Sequence, residues 1–465
     1  MTVAEATPEL DDVPHDRAFL GHPKGLGYLA FVEGCERFSY YSMQTLLVLY
    51  MVRFLLLPEN IGSVIGLEWL QQNHYRGLEG QPLASAIFGD YTAFVYLTPI
   101  LGGIIADRWL GRRTTLILGG LIMAFGHFLM AFQGTFLFAL LALIVGVGLF
   151  KGNIASQVGE LYSDTDIRRA MAFQIFYIAI NVSVIAAPLV SGTLGEKMGW
   201  HWGFGTAGIV MVAGLILYIF AKPWLPADNR PAKGDKSKPK EKLVGRDWLR
   251  LLAVLLLVPV LAIALLINQQ IFNAYLVWAD EQFQLTFFGT TWPTSWMITI
   301  DATASFSMLV AVAAFWKWYG ARHWEPDELG KMIIGSVFTI AGALCLVMAA
   351  ATQGGGKIGL FWPVMFHVLN SIGFAHTLPV SLALFTRLAP KALNATVLGI
   401  YYLAFFAANK IVGEVGGWYS TMDTVQFWLL HVGTGVVGLI AFVAFKFLVA
   451  PKLLAPEHPK NAIQS

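Results

Sequence analysis

The chain has 465 residues, of which 56% are hydrophobic and only 13% charged, with a formal net charge of +2. Soluble domains carry about 25% charged residues, so the composition points away from a water-soluble protein and toward a polytopic helical membrane protein embedded in a lipid bilayer. A net charge this close to zero points away from nucleic acid as a partner.

The first residues, "MTVAEATPELDDVPHD", are acidic and polar. They lack a basic stretch followed by a short apolar core, so no cleaved signal peptide is expected. Apolar runs of about 20 residues mark bilayer spans, and about twelve follow, near 28–56, 84–107, 114–134, 137–158, 170–194, 203–222, 248–270, 295–317, 330–352, 358–388, 393–416 and 424–449. Basic residues gather in "DRWLGRR" (107–113), "DIRRA" (166–170), the stretch 222–250, "WKWYGARHW" (316–324) and "TRLAPK" (386–391). These share one side of the membrane if the N-terminus is cytoplasmic, which puts the C-terminus there as well. "GTTWPTSW" (289–296) reads as an external loop. Cys35 and Cys345 both lie in apolar segments and read as packing residues rather than a disulfide.

The segment 223–247, rich in Pro, Lys and Gly, reads as a cytoplasmic linker between an N-terminal six-helix bundle (1–222) and a C-terminal one (248–465). This is the all-α layout of the major facilitator fold, in which the substrate site lies between the halves near the midplane. No short repeat is visible.

Span one carries the first chemistry. "FVEGCERFSYYSMQ" (31–44) puts Glu33, Glu36 and Arg37 where lipid should be, and each charge at the bilayer centre costs about 2.5–3.5 kcal/mol on insertion scales. At about 100° per residue, Glu33, Glu36, Arg37, Tyr40 and Gln44 share one stripe with Tyr41 at its edge, and the rest of the helix is apolar. Such a face must look into the bundle or a wet cavity. A fixed ion pair would leave one surplus negative charge. Span four, "LIVGVGLFKGNIASQVGELY" (143–162), offers Lys151 deep in an apolar run. Lys151 either snorkels to an interface or joins the two glutamates to make a balanced cluster of two acids and two bases. Such a cluster would gain and lose protons as a unit.

Several stretches resemble the proton-dependent oligopeptide transporter family of major facilitator proteins. "EGCERFSYY" (33–41) fits its ExxERFxYY pattern, and "YLTPILGGIIADRWLGRRTT" (96–115) is similar to its span-two and loop signature. "GVGLFKGNIASQVGELY" (146–162) is similar to its GxGxxKPN stretch, with Gly152 in place of proline. "FYIAIN" (176–181), "GWHWGFGTAGI" (199–209) and "LPVSLALFTRLAPKALN" (378–394) match further regions. The resemblance implies inward symport of di- and tripeptides with protons, with no cofactor beyond the coupling proton. It further implies a monomer in the inner membrane. Glu33, Glu36, Arg37 and Lys151 would couple the proton. Tyr40, Tyr41, Tyr96, Lys151 and Asn181 would meet the peptide, with Lys151 or Arg37 on its C-terminal carboxylate.

The chain departs from the family in three places. Gln44 stands for a second arginine of span one, and Asn268 for an acid of span seven, so a gate built there would be hydrogen-bonded rather than ionic. Phe374 stands where span ten usually has a glutamate for the peptide's amino group. Asp301, in "SWMITIDATASFSML" (295–309), stands for an asparagine and either takes over the amine, carries a proton, or is capped by neighbouring hydroxyls. Asp90 is either a cavity acid or a wet interfacial residue. His367 shares a stripe with Asn370, Ser371 and Phe374, while His376 falls on the opposite face. Lys410 and Glu414, spaced i, i+4, are expected to pair.

A second hypothesis is a proton-coupled carrier of another small solute on the same fold, motivated by Phe374. A membrane enzyme or nucleotide-driven pump is disfavoured. The sequence has no HExxH, no Cys–His metal spacing and no Gly-rich phosphate loop.

Overall fold

The computed structural model describes residues 16–163, 166–226, 245–388 and 394–453. Most of the linker (227–244), the polar start and the C-terminal tail lie outside the described residues, as does the end of "TRLAPK". Helices dominate because backbone N–H and C=O groups in lipid must be satisfied within the chain. We label those matching the predicted spans α1 (Lys24–Tyr50), α2 (Gly80–Ile105), α3 (Arg112–Leu129), α4 (Phe136–Glu160), α5 (Arg168–Ala187) and α6 (Trp200–Phe220). The later ones are α7 (Gly245–Ala264), α8 (Trp296–Gly320), α9 (Glu328–Ala351), α10 (Phe361–Leu388), α11 (Asn394–Gly417) and α12 (Thr424–Ala444). Among the described residues, nine helical stretches are long and apolar enough to cross a bilayer. α1, α3 and α11 are not among them, and each carries charges: Glu33, Glu36 and Arg37; Arg112 and Arg113; Lys410 and Glu414.

Two departures from the expected pattern matter for function. Span seven is broken: α7 stops at Ala264, and short helices Leu266–Gln270 and Ala274–Gln282 follow. Asn268 sits in this broken stretch. The expected loop before α8 contains a hairpin, β1 (Thr286–Phe287) paired antiparallel with β2 (Thr290–Thr291). Its turn residues, Phe288 and Gly289, have φ of 52° and 77°, the pair of positive values that a two-residue hairpin turn of this hand needs.

The chain forms two compact units. One comprises Met1–Leu46, Ser63–Gly66 and Thr98–Gly234; the other comprises Leu47–Gly62, Leu67–Leu97 and Asp235–Ser465. The boundary therefore falls inside α1 and α2. In the first unit small residues let helices approach, the usual basis of helix association in lipid. A Cβ built on Gly102 of α2 would lie 2.0 Å from the carbonyl oxygen of Gly148 on α4, so neither helix tolerates a larger residue there. Thr98 Oγ1 donates to the Ile144 carbonyl at 2.9 Å beside this contact. α6 closes on α1 at Cys35 and Gly214, and Ser39 Oγ donates to the Ala207 carbonyl at 2.6 Å. Both cysteines are buried and free. Span one is less one-sided than its wheel suggests: Ser39, Ser42 and Thr45 are buried along with the charged stripe.

The second unit has its own core, built from α7, α9, α10, α11 and α12 around Leu257, Leu261, Phe385, Tyr401 and Phe442. Here α2 meets α11 at Gly89 and Gly413; a Cβ on Gly89 would lie 2.5 Å from the Gly413 Cα.

Candidate functional site

The first cluster lies wholly in the first unit. Arg37, one turn after Glu33 and next to Glu36, bridges both acids: its Nε lies 3.1 Å from Glu33 Oε1 and 2.5 Å from Glu36 Oε2. All three are buried, at 5%, 0% and 5% exposure for Glu33, Glu36 and Arg37. Both contacts run through the one Nε–H, so neither carboxylate is held through both of its oxygens. Glu33 Oε2, Glu36 Oε1 and Arg37 Nη2 are buried without a hydrogen-bond partner. Such orphaned atoms are rare in native proteins and costly.

Tyr40 extends the cluster toward α4. The Arg37 guanidinium carbon sits 5.4 Å and Lys151 Nζ 6.0 Å from the Tyr40 ring centroid, the range in which an aromatic face attracts cations. Tyr41 packs edge-on against Tyr40 at 5.1 Å. Lys151 is half-buried and within electrostatic range of Glu33, Glu36 and Arg37. α4 thus points this lysine inward, into the cluster's field. Asn181 is half-buried on α5, its Nδ2 donating to the Tyr177 carbonyl at 2.8 Å.

The other expected site residues belong to the second unit. Tyr96 stacks on Phe405 of α11, centroids 4.7 Å apart at 22°. Asn268 and Phe374 are half-buried. Asp301 is 7% exposed. Its Oδ1 lies 2.9 Å from His367 Nδ1, and the other ring nitrogen of His367 lies 2.7 Å from the Tyr275 hydroxyl. Ser305 and Ser371 bond side chain to side chain at 3.1 Å, tying α8 to α10 in the same region. His376 also meets α8, its Nε2 accepting from Trp316 Nε1 at 3.0 Å.

Asp90 resolves differently from either expectation. It is the hub of a polar cluster: Lys410 Nζ donates to its Oδ1, while His74 Nε2 at 3.0 Å and the Tyr75 hydroxyl at 3.2 Å meet Oδ2. Burial, then the adjacent Asp90 carboxylate, push the Tyr75 phenol far above its ordinary range, so it stays a donor. The expected Lys410–Glu414 pair is therefore wrong. The close approach at Gly89 and Gly413 brings Asp90 within reach of Lys410 and leaves Glu414 exposed. A second link was not foreseen. Arg53, at the end of span one, pairs with Asp280, Nε to Oδ2 at 2.5 Å, and reaches Thr294 at 3.1 Å. The signal was present in "YMVRFLL" (50–56), an arginine inside an apolar run. His74, Tyr75 and Tyr275 gave none, since nothing local marks their partners.

Among the described residues no group of His, Cys, Asp and Glu is arranged to hold a metal. The chemistry offered is proton exchange, ion pairing and hydrogen bonding inside a membrane-spanning bundle.

Residues 45–413 match the Major Facilitator Superfamily. The chain is 28% identical to the uncharacterized transporter YclF of Bacillus subtilis, over 95% of each chain. It is 29% identical to the peptide transporter YePEPT of Yersinia enterocolitica, over 95% of this chain and 96% of that one. Among solved structures, a peptide transporter POT in complex with sulfate superposes with a TM-score of 0.81 at 26% identity, covering 94% of this chain and 96% of that one. The chain is thus a multi-pass membrane transporter belonging to the Major Facilitator Superfamily, and the likeness to the proton-dependent oligopeptide transporters read from its motifs is borne out along nearly its whole length.

Proposed function

We propose that this protein is a proton-coupled symporter importing di- and tripeptides by alternating access between its halves, 1–222 and 248–465, joined by the cytoplasmic linker 223–247. The observation that carries this reading is the α1 cluster: two buried carboxylates bridged by one guanidinium, each with an oxygen left unbonded, and a second cation from α4 in range. With all four groups ionised the cluster is neutral. Protonating either glutamate leaves a surplus positive charge, which is costly inside the protein and is relieved by re-pairing. A proton can shift a conformational equilibrium only through such a difference between states.

The solute comes by similarity, since the Yersinia relative is named a peptide transporter. In this reading Lys151 and Arg37 meet the peptide's C-terminal carboxylate, and Tyr40, Tyr41, Tyr96, Asn181 and Asn268 line its path. Asp301 supplies a carboxylate for the amino end, where Phe374 replaces the usual glutamate. Phe374 also favours a second reading, a proton-coupled carrier of an amino-acid derivative or non-peptide. The protein works as a monomer in the cell inner membrane with both termini cytoplasmic, and needs no cofactor beyond the proton.

Proteoliposomes test this directly. An acid-outside gradient should drive labelled dialanine uptake above equilibrium, and a protonophore should collapse it. Glu33→Gln or Glu36→Gln should abolish this accumulation while sparing some exchange. Absence of dialanine counterflow in the native protein would reject peptides as substrates in favour of the second reading; intact acid-driven accumulation in both variants would reject the proton role of α1.

A further inference from the structure

We propose that Tyr275, His367 and Asp301 form a second proton-binding site, a relay contained in one unit and independent of the α1 glutamates. The inference rests on the reading of the protein as a proton-coupled transporter and changes what Asp301 does within it. The three side chains come from the broken segment of span seven, from α10 and from α8. They form an unbroken chain: Tyr275 hydroxyl to His367 Nε2 at 2.7 Å, His367 Nδ1 to Asp301 Oδ1 at 2.9 Å. Tyr275 and His367 are fully buried, whereas the Asp301 side chain keeps 11% of its surface exposed. A proton therefore enters and leaves by way of the carboxylate.

Among the described residues, no ion pair or hydrogen bond joins Asp301 to a cation other than the His367 ring. Tyr275 is walled by Trp278, Phe283, Phe366 and Trp428, with centroids 5.6–6.4 Å away. Met297 Sδ lies 4.0 Å from its hydroxyl. Beyond Trp428, on α12, His431 is committed to the Phe427 carbonyl at 2.8 Å. Further along the Tyr275 helix, Asp280 is held by Arg53 and Thr294, and Glu281 accepts from the Tyr419 hydroxyl at 2.7 Å. α9 packs along α10 through Gly335, Thr339 and Gly342; its ionisable residues are Glu328 and Lys331 in its first turn and Cys345. An ionised Asp301 beside a neutral imidazole would leave one net negative charge in this apolar wall, and burying an unbalanced charge is costly. One added proton makes the group neutral, as an imidazolium–carboxylate pair. Tyr275 makes both states affordable in hydrogen bonds. A hydroxyl donates to a bare Nε2 and accepts from a protonated one, so neither state orphans the ring nitrogen. The site is built to hold one proton and to let it go. The same carboxylate is the candidate for the amino end of the substrate, so an arriving ammonium favours release of that proton.

The test is a count of protons. At static head, the ratio of protons to dialanine carried by His367→Gln should be lower than that of the native protein by one proton per peptide. An acid pulse on the purified protein in detergent, read with a pH indicator, should show one proton fewer taken up by His367→Gln. This second measurement needs no substrate, so it decides the matter even if the variant does not transport or if native counterflow fails and the peptide reading falls. Tyr275→Phe keeps the imidazole and carboxylate but removes the two-way hydroxyl; it should displace the pH profile of proton uptake without lowering the final count. Native proton counts in His367→Gln by both measurements would overturn the proposal.

Discussion

The two ionisable clusters are built on opposite plans. The first takes three of its four charged groups from one helix turn, Glu33, Glu36 and Arg37, so helix geometry alone brings them together. It is underbonded: three of its polar atoms are buried without partners. The second takes one side chain from each of three helical segments, and both ring nitrogens of its histidine are engaged. An underbonded buried cluster is a reservoir of cost, about 1–3 kcal/mol for each orphaned group, and it gains bonds by rearranging. A saturated chain gains nothing by moving and changes state only by gaining or losing a proton. The contrast assigns the conformational switch to α1 and a fixed proton store to the second unit.

The largest expected effect tests whether Arg37 alone keeps the first cluster together. Arg37→Ala removes the group that bridges both glutamates and leaves two buried carboxylates facing each other. Breaking a buried pair by deleting one partner costs about 3–5 kcal/mol. The variant should lose thermal stability by that order and recover part of it when Glu36→Gln is added, because the orphaned charge is then gone. A melting temperature equal to the native one would mean that Lys151 and a proton taken up by one glutamate balance the acids without Arg37, and the distinction between the clusters would blur.

That asymmetry also explains what was legible in the sequence. Spans are visible because hydropathy is a local property. The α1 stripe is visible because a helix repeats at a known angle, and ExxER fixes the register. Lys151 could be singled out because a cation in an apolar run is conspicuous. The partner of Lys410 could not. The i, i+4 rule named Glu414, and only the close contact of α2 with α11 puts Asp90 nearer. Asp301 and His367 each stand out in the sequence, yet nothing local joins them, and Tyr275 is one aromatic among many. The break in span seven leaves no local mark, because "LLINQQIFN" (265–273) carries neither proline nor glycine to announce it.

If clusters joined across helices depend on packing, a bulky residue at a helix crossing should disturb them and spare the α1 stripe. Gly413 is the place to try. A Cβ there would lie 2.9 Å from the Gly89 Cα and 3.0 Å from the Ser85 carbonyl oxygen, so Gly413→Val must push α11 off α2. Overpacking of this kind costs about 1–3 kcal/mol. The Asp90–Lys410 pair should separate with it, so adding Lys410→Gln to Gly413→Val should bring no further loss of melting temperature. Two losses that simply add would show that the pair survives the wedge, and with it that the helix contact does not position it.

The smallest effect concerns Lys410 by itself. Its side chain is 44% exposed, and Asp90 keeps His74 and Tyr75 when the ammonium is removed. Solvent screens such a pair, and the net contribution of exposed ion pairs is about 0–1 kcal/mol. Lys410→Gln should therefore lower the melting temperature only slightly, and the difference should shrink as salt is raised, because screening shortens the reach of exposed charges. A loss as large as that of Arg37→Ala, persisting in high salt, would move the Asp90 cluster into the class of buried networks and make it a third ionisable site to be weighed with the other two.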